Sequence, residues 1–573
     1  MPFFPSVGLT RAARRPLNAR TPAPQIRAEA EPFGICRIVP PASWCPPVQL
    51  RDPLRPLETK SQDVHAMSEG HTFGEGKQYT AGEYEMMARE FERNWDARHA
   101  QAGADAPGGV GAASGLDEEA RARALERYFW RVVDTEAESL EVQYANDLND
   151  FSAFPREGPW AQHAWNLNNI PKSSESLLRF MGEVVPGIDA PWGYLGMRFS
   201  AFCWHTEDNW LYSVNYNHRG AAKRWYGVSG AAAPELERAM RENVPSLFEA
   251  DPALLHHLVT LMPPTRLKSF GVPVTTTWQR AGDFIVTFPR SYHAGFNEGF
   301  NHCEAVNFAP PDWLEWGARS RLHYRRIKRP SLLRFEDMLF RYAAHCRASG
   351  GVGQHALGQA LRALLREEQA AREQATREGT KRSRRVRASH FGTEAHCAHC
   401  KAPLCLTALV ATADMGIGHG AGKTMLTCAL HGSSLRCAPA ERTMLYTHDL
   451  GEIDRGTRGF VGGDTRPAWE SEDRRDDRSS GLLQQLAESF REDWRARAAA
   501  WCARAHAALS GAGSGAAIHT LLAEAEEFAW GDAEMADVRR MVRKLEAATS
   551  GHIMPDMLPV CAQPPRDMAM YGQ

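Results

Sequence analysis

Long apolar runs are missing: nowhere in the 573 residues is there anything near the 18 or so consecutive apolar side chains that a bilayer-spanning helix needs, which argues against a membrane protein. The short apolar core of a secretory leader is missing too. The 12 cysteines are therefore expected in a reducing compartment, where clustered thiols hold metal rather than pair with one another. Net charge is almost absent, with 67 Lys and Arg against 69 Asp and Glu, so any grip on nucleic acid must come from a local patch. Acidic residues are absent from the first 28 positions, which carry Arg11, Arg14, Arg15, Arg20 and Arg27. That composition fits an organelle transit segment, a basic nuclear arm or an imperfect gene start. Segment 101–115 (QAGADAPGGVGAASG) lacks any large side chain except Val110, as a flexible connector does.

What is present is ordinary globular material, 43% hydrophobic and 24% charged, long enough for three or four domains. In 32–47 (PFGICRIVPPASWCPP) a β-prone run ends in a proline-laden crossing, and 50–75 reads as a loop. Tyr84, Met87, Phe91 and Trp95 recur at helical steps within 80–98. From about 125 to 318 the chain turns aromatic-rich, with short β-prone runs (193–204, 211–217, 223–228, 282–288) broken by Gly, Asn and Pro. Many short strands at that spacing predict a β-sandwich or barrel. Helical patterning resumes after 334, and 355–378 runs into KRSRRVR (381–387). The basic run reads as a nuclear-localisation signal, a nucleic-acid contact or a solvated helix end. In the tail, Leu483, Leu486, Phe490, Trp494 and Trp501, a break at 511–515 and a helical stretch over 516–548 predict an antiparallel helical pair.

The most informative segment is CWHTEDNW (203–210). One residue separates His205 from Glu207, so on a strand both point to the same face. His293 lies far downstream, where GDFIVTF hands over to a turn. A His-x-Glu pair plus one distant His is how a β-barrel builds a two-histidine, one-carboxylate site for non-haem Fe(II) with open positions for substrate and oxygen. One such pair among 22 histidines arises readily by chance, so the context matters. Asn215 and Lys223 follow on strand-like segments, and a lysine pointing into the barrel would hold the far carboxylate of 2-oxoglutarate. On the surface, the same lysine would lie with its stem along Trp225. Five cysteines fall between 397 and 437. Cys397-x2-Cys400 with Cys428-x2-His431 makes the pair-plus-pair pattern of a tetrahedral zinc site, with Cys405 and Cys437 close by. His396, His399 and His419 are the candidates to complete a second site. The remaining seven cysteines are expected to be small buried residues.

With these residues in view, WNLNNIP, PWGYLGMRFSAFCWHTEDNW, SVNYNHRGAAKRWYGV and FPRSYHAGFNEGFNHCEAVNFAPPDW resemble the JmjC domain of the JARID-type histone lysine demethylases over about 200 residues. Residues 32–47 resemble the second half of a JmjN segment, and 397–450 resemble the C5HC2 zinc finger of the same proteins. No ARID or PHD segment is visible, as in the short plant-type layout. The resemblance implies a mixed, mainly β fold, a double-stranded β-helix (jelly roll, cupin) with a JmjN segment, zinc finger and C-terminal helical region. It divides the chain into a JmjN-like segment (8–49), a helical linker (50–124), the JmjC catalytic domain (125–325), a second helical linker with the basic run (326–390), the zinc finger (391–450) and a helical hairpin (480–550).

The resemblance further implies iron on His205, Glu207 and His293. It puts 2-oxoglutarate against Tyr144, Phe202, Ser213, Asn215 and Lys223, with Trp225 and Asn307 nearby, and lines the methyl-lysine channel with Tyr194, which as plain core would need only a satisfied hydroxyl. Ala294 stands where the family often has Ser beside the methyl-ammonium. The implied activity is Fe(II)-, O2- and 2-oxoglutarate-dependent demethylation of tri- and dimethylated lysine 4 of histone H3, releasing formaldehyde and succinate. The implied setting is the nucleus, with the histone tail or nucleosome as partner, DNA contact through local basic patches, no membrane, and Zn(II) as a structural metal. A protein or RNA hydroxylase and an inactive chromatin scaffold are the alternatives.

Overall fold

The computed structural model describes residues 30–458 apart from 41–43, 71–72, 100–117, 136–137, 251–259, 350–353, 388–394, 412–424 and 436, together with residue 27, residues 501–510 and a few positions between 518 and 545. The Arg-rich start apart from Arg27, the 101–115 connector, His419, Cys561 and Leu483, Leu486, Phe490 and Trp494 lie outside the described residues. The chain falls into two compact units, one within 6–493 and one within 494–573.

Two antiparallel sheets form the centre of the larger unit. Its strands are β1 (Ile35–Ile38), β2 (Leu57–Asp63), β3 (Gly74–Tyr79), β4 (Glu141–Leu148), β5 (Trp192–Gly196), β6 (Ala201–His205), β7 (Tyr212–Gly220), β8 (Lys223–Val228), β9 (Thr275–Gln279), β10 (Phe284–Thr287), β11 (Tyr292–Asn297) and β12 (Asn301–Phe308). One sheet has eight strands in the order β1-β10-β7-β12-β5-β4-β2-β3, and the other has four, β6-β11-β8-β9. Side chains reach from one sheet to the other, as Lys223 does to Tyr144 and Asn307 to Glu207. This is the jelly roll that the resemblance implies, and it agrees with the β-sandwich or barrel that the spacing of short strands predicts.

Period-two alternation sorts the residues of each strand. On β7, Val214 and Tyr216 enter an apolar cluster with Val286, Val306, Phe308, Trp313 and Leu339, while Ser213 and Asn215 turn to the opposite face and line a cavity. The helix Ala81–His99 packs Tyr84, Ala88 and Trp95 into a second cluster around Phe199, Trp204, Tyr226 and Phe296. Its start is set by a capping box: the Thr80 hydroxyl accepts from the Glu83 amide at 3.3 Å, and the Thr80 amide donates to the Glu83 carboxylate at 2.7 Å.

β1 closes the outer edge of the large sheet by pairing with β10. Arg37 on β1 meets Asp283 at 2.8 Å, both buried. Gly34 just before it has φ +79°, and a Cβ there would sit 2.7 Å from the Val228 backbone, so glycine alone fits this crossing.

Two expectations fail. Residues 50–75 are not a loop, because β2 and β3 add to the sheet through β4. The signal was hidden because β2 buries only Leu57, Thr59 and Gln62, mostly polar, and β3 buries none of its residues. Gln62 exchanges two hydrogen bonds of 2.8 Å with the backbone of Ala201, taking the place of an apolar contact. Of the seven isolated cysteines, Cys36, Cys203, Cys303 and Cys346 are buried, whereas Cys45 is exposed and Cys502 half-buried.

Beyond the jelly roll come the helices Leu314–Arg326, Phe335–Ser349 and Gln354–Arg377. A three-stranded sheet follows in the order β13-β15-β14, made of β13 (Arg382–Arg385), β14 (Thr407–Ala411) and β15 (Arg442–Tyr446). Within the smaller unit, Trp501, Ala505, Leu521, Val542 and Leu545 form one apolar cluster, and the Trp501 indole donates to the Leu521 carbonyl at 3.0 Å. No helix among the described residues is long and apolar enough to cross a membrane.

Candidate metal and cosubstrate site

Strand pairing assembles the centre of the larger unit. His205 ends β6 and lies opposite His293 on β11, at a point where the register shifts between His293 and Gly295. Glu207 follows two residues on, so the ligating atoms of His205, Glu207 and His293 all lie within 4.8 Å of one another. His293 Nε2 is 3.3 Å from Glu207 Oε1, and the two imidazole centroids are 4.1 Å apart.

Each ring is held from behind. His205 Nδ1 donates to the Cys203 carbonyl at 2.7 Å and His293 Nδ1 to the Ser291 carbonyl at 3.2 Å, which leaves Nε2 of both rings to take a metal. Asn307 donates to Glu207 Oε2 at 2.9 Å and to the Tyr212 carbonyl at 3.1 Å, fixing the carboxylate. Burial pushes His205 down to about 4, a neighbouring His293 adding to it. Burial would raise Glu207, but the hydrogen bond and charge of His293, with His205 and Asn307, hold it down to about 2. At neutral pH His205 is thus neutral and Glu207 ionised, the forms that bind a cation. The donor set fits Fe(II), whose facial two-histidine, one-carboxylate sites keep open positions.

A cavity of about 120 Å3 opens beside this cluster. Its lining includes Tyr144, Tyr194, Phe202, Ser213, Asn215, Lys223 and Trp225, all of them singled out from the sequence. Lys223 is 1% exposed, which removes the surface reading. Its Nζ donates to the Tyr144 hydroxyl at 3.2 Å and sits over the Phe202 ring at 5.3 Å. The Tyr144 hydroxyl is raised by burial against the pull of Lys223, so it stays protonated beside the ammonium. Trp225 lies stacked toward the His293 ring at 5.9 Å. Tyr194 sits 6.4 Å from Tyr144, and burial, with the charge of Asp147 next, holds its hydroxyl well above the usual value. Ala294 is a correction: alternation along β11 turns it away from the cavity into the apolar cluster with Phe296 and Tyr226, so it does not border the site.

Reading the sequence missed Gln279. Fully buried on β9, it accepts from the Trp225 indole at 2.9 Å and donates to Asn215 Oδ1 at 2.9 Å and to the Asp283 carbonyl at 3.2 Å. It also missed Thr287, whose hydroxyl meets that of Ser213 at 2.7 Å, and Phe73, Asn146 and Asp147 in the cavity wall. A polar side chain in a strand, as in TTTWQ, was the one signal available for Gln279.

A second cluster lies in the three-stranded module, where the ligating atoms of Cys397, Cys400, Cys428 and His431 fall within 4.8 Å of one another. Cys400 and Cys428 sulfurs are 4.0 Å apart, close to the roughly 3.8 Å that two thiolates at about 2.3 Å from a tetrahedral zinc would have. The residues fit a structural zinc. The structure does not bring Cys405 or Cys437 to this group: Cys405 faces Glu336 and Asp337, and Cys437 packs near Leu435 and Met444. His399 lies tilted against His431 with ring centroids 4.4 Å apart without joining the ligands, and His396 lies at a bridge to Pro403.

Residues 192–308 match the family described as JmjC domain, hydroxylase. Lysine-specific demethylase JMJ17 of Arabidopsis thaliana is 36% identical over 74% of this chain and 36% of its own length. Lysine-specific demethylase JMJ703 of Oryza sativa subsp. japonica is 40% identical over 55% of this chain and 29% of its own length. Human Lysine-specific demethylase 5D is 38% identical over 57% and 22% respectively. The chain spans about a third or less of these curated relatives. With the jelly roll and its His-Glu-His cluster, these likenesses establish that the chain carries a JmjC domain and is homologous to the JARID-type lysine-specific demethylases.

Proposed function

We propose that this chain is an Fe(II)- and 2-oxoglutarate-dependent histone demethylase acting on tri- and dimethylated lysine 4 of histone H3. The observation that carries the reading is the meeting of His205, Glu207 and His293 with Lys223 in one cavity between the sheets. The printed names of its relatives, lysine-specific demethylases, support it.

His205, Glu207 and His293 hold the iron, with their orientation set by Cys203, Ser291 and Asn307. The Lys223 ammonium and the Tyr144 hydroxyl bind the far carboxylate of 2-oxoglutarate. Ser213, Asn215, Phe202 and Trp225 wall the cosubstrate in. Tyr194 offers an aromatic face to the methylated ammonium. When bound, Fe(II) with 2-oxoglutarate and O2 would supply the oxidising power to hydroxylate an N-methyl group, which leaves as formaldehyde while the cosubstrate is converted to succinate and CO2. Oxidation at carbon needs no lone pair on nitrogen, so trimethyl-lysine is a substrate. Cys397, Cys400, Cys428 and His431 hold a zinc that braces the module beside the catalytic domain. The protein works in the nucleus, on chromatin.

Mass spectrometry of H3 peptides trimethylated at lysine 4, 9, 27 or 36 tests this, with Fe(II), ascorbate and 2-oxoglutarate and a His205→Ala control. The reading requires loss of about 14 mass units per methyl on the lysine 4 peptide alone, abolished in the control. A gain of about 16 without methyl loss points instead to a hydroxylase, and an unchanged peptide with 2-oxoglutarate unconsumed to a scaffold.

A further inference from the structure

The basic run KRSRRVR forms neither a helix end nor a loose linker. Residues 382–385 are β13, paired in parallel with β15 and lying at one end of the three-stranded sheet. Lys381, Arg382, Arg384, Arg385 and Arg387 are all exposed. Arg385 is engaged by Glu452 at 2.7 Å. Among the described residues, no carboxylate pairs with Lys381, Arg382, Arg384 or Arg387. Several other exposed arginines of this chain do find one: Arg89 pairs with Glu85, Arg156 with Asp150, Arg238 with Glu242 and Arg319 with Glu315. Four uncompensated cations on one short extended segment stand out in a protein whose total charge is −2.

Charged residues on an edge strand also serve to prevent edge-to-edge aggregation. That purpose is met by either sign of charge and by one or two residues. Here the sign is uniform, and the strand is held rigidly by its ladder to β15 and by the Val386 amide, which donates to the Tyr446 carbonyl at 2.9 Å. A rigid row of arginines and a lysine with no acidic partners of their own matches the phosphate backbone of duplex DNA, which presents one charge per roughly 3.4 Å along each strand.

We propose that β13 and its flanks, Lys381, Arg382, Arg384 and Arg387, form a docking surface for the phosphate backbone of double-stranded DNA. The proposal rests on the chromatin reading above for its biological setting but not for its chemistry. Contacts of this kind position without reading sequence, so the surface holds the enzyme on nucleosomal DNA while leaving isolated peptides unaffected.

The test uses the full zinc-loaded chain and a fluorescein-labelled duplex of about 20 base pairs, with anisotropy read at several salt concentrations. The wild type is expected to bind with a steep salt dependence. In Arg382→Glu/Arg384→Glu, which keeps the edge charged but reverses its sign, affinity should fall at least tenfold. Its slope of log K against log salt should become shallower by about two, near 0.9 for each phosphate no longer neutralised. Lys381→Glu/Arg387→Glu, outside the paired strand, should weaken binding likewise and covers the case in which the first variant fails to fold. Unaltered DNA binding in both variants overturns the proposal and leaves edge protection as the role of the strand. It is overturned equally if the variants stop binding a labelled poly-glutamate peptide while their DNA affinity stays intact, which would make the partner an acidic protein surface. Demethylation of the free lysine 4 peptide should be the same in wild type and variants; its absence in all of them would count against the demethylase reading while the DNA result stands separately.

Discussion

Gln279 positions two of the groups that wall the cosubstrate cavity, the Asn215 amide and the Trp225 indole, through its single amide. In Gln279→Glu the carboxylate still accepts from Trp225 but cannot donate to Asn215 or to the Asp283 carbonyl, and it places a negative charge near the incoming dicarboxylate. The KM for 2-oxoglutarate should rise about tenfold, roughly the cost of one lost buried hydrogen bond, with a smaller change in kcat. Initial rates against 2-oxoglutarate concentration measure the split, and an unchanged KM would reduce Gln279 to a packing residue. The contrast with the metal ligands explains what the sequence could reveal. His205, Glu207 and His293 were legible because a His-x-Glu pair on a strand has a period that chemistry can read, and Lys223 because a cation is conspicuous among aromatics. Gln279 acts only through its neighbours, and Ala294 was misplaced because alternation along β11 turns it away from the cavity its neighbour His293 faces.

At the scale of elements, β1 and the zinc module are the additions whose chemistry is most exposed to test. β1 is held by four register pairs to β10 and by the buried Arg37–Asp283 contact. Burial raises the Asp283 carboxyl, and Arg37 is the largest of the effects opposing it. Arg37→Ala therefore leaves a buried carboxylate without its cation and should cost about 3–5 kcal/mol, with Arg37→Ala/Asp283→Ala together costing less than the single change. Urea unfolding followed by Trp fluorescence gives both values. The strand is visible in ICRIV, whereas β2 and β3 are not, since β2 buries only Leu57 beside the polar Thr59 and Gln62 and β3 buries none of its residues, so neither carries an apolar alternation. For the zinc module, Cys428→Ser should release the metal and unfold the module. Cys405→Ser, which removes a thiol that stands among Glu336, Asp337 and Arg334, should leave zinc content unchanged. Metal analysis after dialysis separates the two, and loss of zinc from the Cys405 variant would show a second site.

For the whole molecule, two imidazoles buried on opposite faces of the jelly roll set the response to acid. His205 borders the cavity, and His302 lies on the far face of β12, fully buried between Phe151 and His218, with neither ring nitrogen hydrogen-bonded. Burial holds His302 well below its ordinary value, and the adjacent His218 and Arg219 add to the effect; Glu304, on the same strand, is occupied by His218 at 2.8 Å. An unfolded chain takes up protons on both histidines as pH falls through about 6.5, while the folded chain does not, so the unfolded state binds more protons and stability declines with acidity. For His205 the loss continues down to about 4, and Glu207 adds a contribution of its own between its ordinary 4.5 and about 2. The thermal midpoint should therefore drop steadily between about pH 7 and 5, well before the carboxylate contributes. His302→Leu fills the same apolar site without a group to protonate, so it should hold its midpoint near neutral pH and show a shallower fall on acidification. Differential scanning fluorimetry across that range decides it: parallel curves for wild type and variant would mean that His302 takes its proton in the folded protein as readily as in the unfolded chain.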